Sequence, residues 1–211
     1  MKKTACILIL FSVICVNIFS QTGKKLSDNE KQVFEQRMIE NSKTIKTLQC
    51  NFVQEKTSAL VSEKAVSKGI MMFQSPSMLH WEYIAPTPST LILNENNAAL
   101  FNQNGKRMGN EQMLKQLGRL IISMVNSEGL KLNKQFSSEI FEEENNEVLI
   151  VLTPVQKRLK DFYSTIELKI DPKTLLANEI VLNEKSGDKT IISLTNKEVN
   201  KEIPSGKFKI K

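Results

Sequence analysis

At Leu48 the hydrophobic period of the chain drops from that of a helix to two, and with one later interruption it stays at two towards the C-terminus. Leu48, Cys50 and Phe52 alternate with Gln49, Asn51 and Val53, a strand with one greasier face. Val66 to Phe73 is a small and apolar run containing Gly69, and Ser75-Pro76-Ser77 turns the chain. In Met78 to Ile84, Leu79, Trp81 and Tyr83 fall on one face and His80 and Glu82 on the other. Pro86 and Pro88 bracket a turn before Thr90 to Leu93, and Ala98 to Asn102 follows an Asn-rich corner. Later, Phe136 to Phe141 and Val148 to Leu152 flank Glu142 to Asn146. Thr165 to Ile170 and Asn178 to Leu182 flank Asp171-Pro172, and Thr190 to Leu194 follows Ser186-Gly187-Asp188. Consecutive hairpins of this kind build one large antiparallel sheet, and a sheet of that many strands must curl or close. Its concave apolar face then needs a cover.

Two helices are available for that role. Ser27-Asp28-Asn29-Glu30 reads as a capping box, and Val33, Phe34, Met38 and Ile45 continue at helical spacing to about Ser42 or Thr47. The later interruption is capped by Asn110 and striped by Met113, Leu114, Leu117, Leu120, Ile121 and Met124, ending near Asn126 to Gly129. The expected fold class is therefore α+β, mainly β: a strongly curved sheet with amphipathic helices over its hollow.

The N-terminus reads as an export signal. Lys2 and Lys3 precede an apolar run from Ile7 to Phe19, then small Ser20 and the polar Gln21-Thr22-Gly23-Lys24-Lys25. The run is too short to span a bilayer, which takes about 20 apolar residues. Cleavage near Ser20–Gln21 would leave a single domain over 21–211 in the periplasm. It would remove Cys6 and Cys15 and leave Cys50 as the one thiol, without an intramolecular disulfide. An alternative is lipidation at Cys15, against which the bulky Ile14 argues.

The formal net charge of +6 becomes +4 without Lys2 and Lys3, carried mainly by lysines scattered among carboxylates. No basic stripe interleaved with aromatics is present, so nucleic acid is not an expected partner. Catalytic signatures are missing as well. His80 is the one histidine, expected at a surface or rim, with no second ligand at metal spacing. Cys50 reads as a small buried hydrophobe. Glu142 to Glu144 reads as a solvated hairpin tip, and Ser186-Gly187-Asp188 as a turn rather than a nucleophile elbow. No phosphate loop or dinucleotide fingerprint occurs, and no cofactor or metal is expected. Met71, Met72, Met78, Met113 and Met124 instead fall on segments expected to line the hollow, where flexible thioethers adapt to irregular ligands. Trp81 and Tyr83 add an aromatic face. Each buried methylene contributes roughly 0.8 kcal/mol, so acyl chains bind such a cavity without directed polar contacts.

Four stretches then carry a resemblance: Leu48 to Lys56 (LQCNFVQEK), Gly69 to Pro86 (GIMMFQSPSMLHWEYIAP), Val151 to Phe162 (VLTPVQKRLKDF) and Ser186 to Phe208, with its SGDKT, TNKEVN and IPSGKF pieces. In this order and spacing the chain resembles the periplasmic outer-membrane lipoprotein carriers, the LolA-like family. The resemblance implies an unclosed β-barrel with helices as a lid, no enzymatic activity, and a monomer. It implies a carrier that takes triacylated lipoproteins from an inner-membrane ABC-type complex, shields their acyl chains, and passes them to an outer-membrane acceptor. The cavity would be lined by Leu48, Phe52, Met71, Phe73, Leu79, Trp81, Tyr83, Phe101, Leu117, Leu120, Ile121 and Met124. The best-known members carry an arginine before the turn proline that bonds the lid. Here that position is Ser75, ahead of Pro76, so the latch is expected elsewhere or the resting state more open. Other readings keep the fold and change the role: a carrier of another lipid or glycolipid, an acceptor anchored through Cys15, or an envelope-stress sensor module.

Overall fold

A computed structural model describes residues 23–61, 63–95, 97–125 and 135–210. The expected signal segment, with Cys6 and Cys15, lies outside them. Strands β1 (Lys24–Lys25), β2 (Thr47–Thr57), β3 (Lys64–Gln74), β4 (Met78–Ala85), β5 (Ser89–Asn94), β6 (Asn97–Asn102), β7 (Arg107–Met108), β8 (Phe136–Glu142), β9 (Val148–Pro154), β10 (Tyr163–Ile170), β11 (Ala177–Glu184) and β12 (Lys189–Val199) are joined by helices α1 (Asp28–Thr44), α2 (Glu111–Val125) and α3 (Lys157–Lys160). They form one antiparallel 12-stranded sheet in the order β1-β8-β9-β10-β11-β12-β2-β3-β4-β5-β6-β7, not closed into a barrel.

Register gives the sheet two distinct ends. Tyr163 faces Glu184, Lys189 faces Thr57, Thr57 faces Lys64, Lys68 faces Ala85 and Ser89 faces Asn102, which puts the β9–β10, β11–β12, β2–β3, β4–β5 and β6–β7 connections at one end, the rim. At the base, Val148 faces Ile170, Ile170 faces Ala177 and Thr47 faces Gln74.

The concave face holds one continuous core. Leu48, Cys50 and Phe52 of β2, Met71 and Phe73 of β3, Leu79 and Trp81 of β4, and Ile150, Leu152, Ile166, Leu168, Ile180 and Ile192 from the other half are all buried in it. Both helices join it, α1 through Phe34 and Met38 with Val33 left exposed, and α2 through Leu114, Ile121, Met124 and the unanticipated Ile122, with Met113 and Leu117 of its expected stripe exposed. At the start of α1 the Ser27 N–H donates to Glu30 Oε2 at 2.8 Å and the Glu30 N–H to Ser27 Oγ at 3.4 Å, completing the capping box. Asn110 Oδ1 accepts from the Met113 N–H at 3.2 Å and caps α2.

The centre of this core is an aromatic cluster made possible by a missing side chain. Phe52 lies opposite Gly69, with its ring over the glycine. A Cβ there would stand 2.4 Å from the Phe52 ring and 2.0 Å from the Glu82 carbonyl oxygen. The ring instead stacks on Trp81, centroids 4.1 Å apart at 23°, and meets Tyr83 edge-on at 5.2 Å.

Three expectations about facing are corrected. His80 is not at the surface: it is buried on the outer face under a C-terminal segment. Its Nδ1 lies 2.8 Å from the Lys207 carbonyl oxygen and its Nε2 2.9 Å from Glu82 Oε2. Asn94 Nδ2 donates to the Phe208 carbonyl at 2.9 Å, and Thr47 Oγ1 to that of Lys201 at 2.6 Å, so residues after β12 strap the outside of β2 to β5. Met72 and Met78 alternate outward with His80, because strand period two sends the neighbours of Met71 and Leu79 to the other face. Phe101 likewise falls opposite Ala98 and Leu100, which pack on the core.

Cys50 is inert by burial, which pushes its thiol up to about 12. In a chain beginning at Gln21, the native protein at pH 8 will react negligibly with a thiol reagent, and a single thiol will appear on unfolding. Gly69→Ala will cost at least about 3 kcal/mol in urea unfolding, because a contact with backbone cannot relax by side-chain rotation. The Ser27 N–H and hydroxyl, with Lys24, lower Glu30 from 4.5 to about 2. A depressed folded value means that its stabilisation is present above the unfolded pKa and lost as pH falls through the folded one. Unfolding measured from pH 5 down to pH 2 will therefore show a smaller stability loss for Glu30→Gln than for the wild type.

An apolar cleft at the rim as candidate functional site

At the base, α1 and the β10–β11 turn close the hollow. Asn41 Nδ2 donates to the Thr174 carbonyl at 3.1 Å, and Leu175, Leu176 and Ile45 join the core there, leaving outside them a hollow of about 310 Å³ bordered by Asn41, Asp171, Thr174 and Lys197. The rim is less completely filled. Tyr83, Leu120, Leu159, Tyr163 and Leu182 pack on the core while remaining partly exposed.

Between α2 and the β9–β10 connection this rim opens into a cleft of about 480 Å³, within the usual range for small-ligand sites. Met113, Leu114, Leu117 and Leu120 form its helical wall, Leu159, Phe162 and Tyr163 the opposite wall, and Gln116, Arg119, Ser123, Gln135, Gln156 and Arg158 supply its polar groups. Met113, Leu117 and Phe162 are exposed despite being large and apolar. Burial pushes the Tyr163 hydroxyl up and keeps it neutral.

The inward-facing strand positions nearest the rim carry a short polar belt. The Tyr83 hydroxyl donates to Gln54 Oε1 at 2.9 Å, and Lys56 Nζ lies 3.2 Å from Glu184 Oε1 and 3.5 Å from Asp188 Oδ2. Asp188 also accepts from the Ala59 N–H at 3.0 Å, the main cause of its lowered pKa. Nothing in this belt pairs a nucleophile with a base. Among the described residues no cluster of histidine, cysteine, aspartate and glutamate could hold a metal.

Phe101 being on the outer face, the other residues expected to line the cavity separate into two sets. Leu117 and Leu120 line the open cleft. Leu48, Phe52, Met71, Phe73, Leu79, Trp81, Ile121 and Met124 sit beneath it in the packed core, and Tyr83 bridges core and rim. Deep in this set the Trp81 indole N–H is fully buried and makes no well-formed hydrogen bond among the described residues, its polar neighbour being the Tyr83 side chain. The opposite wall of the cleft was not anticipated as a site. Its signal in the sequence is the aromatic pair Phe162-Tyr163, one residue after the basic Lys157-Arg158-Leu159-Lys160.

Among the described residues, no hydrogen bond or ion pair joins the Ser75-Pro76 turn to helix α2. That turn lies at the base, where the Ser75 N–H donates to the Lys46 carbonyl at 2.8 Å. The helix is tied at its N-terminal end: Arg107 Nη2 donates to the Ala98 carbonyl at 3.1 Å and lies 3.3 Å from Glu111 Oε2. Gly118 lets the helix approach β5, since a Cβ there would stand 3.1 Å from Leu93 Cδ2.

Residues 43–211 match the family described as outer membrane lipoprotein carrier protein LolA. An outer-membrane lipoprotein carrier protein of Pseudomonas fluorescens (strain Pf0-1) is 22% identical over 173 residues, covering 82% of each chain. Among solved structures, an uncharacterized conserved protein from Thermus thermophilus aligns with a TM-score of 0.53 at 9% identity, over 86% of this chain and 94% of that one. A LolA superfamily protein from Nitrosomonas europaea aligns with a TM-score of 0.45 at 11% identity, over 83% and 97%. An unclosed, helix-covered antiparallel sheet, matched by this family over most of its length, places the chain among its members: it belongs to the LolA family of outer membrane lipoprotein carrier proteins.

Proposed function

We propose that this chain is a periplasmic carrier that receives the acyl chains of lipoproteins through the rim cleft and shelters them in the hollow between α2 and the sheet on their way from the inner to the outer membrane. The observation that carries the reading is the cleft itself: an apolar opening over an apolar, methionine-containing and aromatic core. Acyl chains entering between α2 and β10 displace Leu117 and Leu120 outward and use Met71 and Met124 as adaptable packing. At roughly 0.8 kcal/mol per buried methylene, area alone provides the affinity, and the same lack of directed bonds lets one site accept many cargoes. The buried Trp81 N–H offers a donor to an ester or amide carbonyl at the head of such a chain. On this reading residues 1–20 are the export signal, cleaved near Ser20–Gln21. The donor and acceptor partners are an inner-membrane ABC-type complex and an outer-membrane acceptor.

The decisive experiment is mass spectrometry on the protein made with its own N-terminal segment and released gently from the periplasm. The expected species starts at Gln21 and carries a triacylated lipoprotein. A chain holding only free lipid or glycolipid would change the cargo, and one starting at a lipidated Cys15 would make it an anchored acceptor. Leu117→Glu, on the exposed side of α2, will leave the fold intact and lower affinity for an acyl ligand by at least about tenfold, as loss of one apolar wall contact requires. Quenching of Trp81, the single tryptophan, reads this directly.

A further inference from the structure

The exposed apolar side chains are not scattered. Leu60, Val61, Val66, Ile84, Val155 and Phe162 all lie in or beside the rim connections. Of the other large hydrophobics exposed among the described residues, only Val33 and Val199 lie away from the rim, α2 and the adjoining β7. Leu60 is 94% exposed at the tip of the β2–β3 hairpin. On one side that hairpin overhangs its neighbour, because β4 pairs with β3 only as far as Lys68 while β2 and β3 stay paired to Thr57 and Lys64; on the other side β12 follows β2 to Thr57. By contrast the base turns are polar: Glu143-Glu144-Asn145-Asn146 and Asp171-Pro172-Lys173-Thr174.

Neighbouring rim turns are joined into one surface. The Ala59 N–H donates to Asp188 Oδ1 at 3.0 Å, and the Lys185 N–H to the Phe162 carbonyl at 2.8 Å. Their charge is biased. Glu55, Glu184 and Asp188 are taken up by Lys64 and Lys56. Among the described residues no ion pair engages Lys157, Arg158, Lys160, Lys185 or Lys189, with Glu63 and Asp161 the carboxylates left beside them. Exposed apolar tips ringed by free lysine and arginine match the chemistry of an anionic bilayer interface, where apolar tips enter the acyl boundary and ammonium groups meet lipid phosphates.

We propose that the rim docks on an anionic lipid bilayer, with the Leu60 hairpin and Ile84 entering the interface and the basic β9–β10 and β11–β12 turns meeting the headgroups. The cleft lies at this same end. Docking would therefore point the opening at the membrane and let an acyl chain pass between bilayer and hollow without crossing water. That orientation rests on the carrier reading; the docking surface does not.

The test is sedimentation of the protein with vesicles of phosphatidylethanolamine with or without phosphatidylglycerol, using wild type, Leu60→Asp/Ile84→Asp and Lys157→Glu/Lys160→Glu. These substitutions are at exposed positions outside the cleft, and an acyl ligand titrated without vesicles checks that each variant still folds and binds as wild type does. The wild type is expected on phosphatidylglycerol vesicles, less so at high salt, and each double variant is expected to lose at least about tenfold in partitioning. Absence of wild-type binding, or binding indifferent to both variants, would overturn the proposal. So would a dimer in solution that Leu60→Asp/Ile84→Asp dissolves without any vesicle binding, which would assign the surface to a second copy. Vesicle binding retained in a protein with no affinity for acyl ligands would uphold docking and refute the carrier reading.

Discussion

Everything inside this molecule is arranged around the place where Phe52 crosses Gly69. A side chain at residue 69 would meet both a ring and a backbone carbonyl, so the stack of Phe52 on Trp81 and its edge contact with Tyr83 exist only because β3 is bare at that point. The same position carries the register shift between β3 and β4, and a bulge of this kind bends and twists a sheet locally. A register shift and the aromatic filling thus meet at one residue, while the further shifts in β10 and β12 lie away from it.

Above that centre, the cover is held by apolar contact more than by directed bonds. Helix α2 brings Leu114, Ile121, Ile122 and Met124 into the core and, among the described residues, is tied by polar groups near its start, through Arg107 and Asn110. Apolar contacts of this kind exchange for others without stranding polar groups. The buried Trp81 N–H is the exception.

Much of the fold was legible because its signals are local. The alternation in β2 and β4, the capping box at Ser27 and the stripe of α2 each depend on residues a few positions apart, and each formed as expected. Facing was harder where two partners share a strand. His80 reads as solvent-facing from period two alone, and only the return of the chain at Lys207 and Phe208, more than a hundred residues later, buries it. Phe101 failed for the opposite reason: being aromatic suggests a core, but its register with Arg107 and Thr90 puts it on the outer face. The cleft wall at Leu159, Phe162 and Tyr163 was missed because it is built by a connection between strands, where neither period applies.

A sheet that stays open keeps two edges, and unpaired edges invite other strands to join them. Here the edges are β1 and β7, each a two-residue strand, Lys24-Lys25 and Arg107-Met108. Such stubs present little backbone for a neighbouring chain to extend the ladder, and beyond β1 the Leu26 N–H and the Lys31 ammonium take up the Ile140 and Ser138 carbonyls of β8. The protein can therefore leave its wall unsealed, and so remain able to widen, without becoming a template for its own polymerisation.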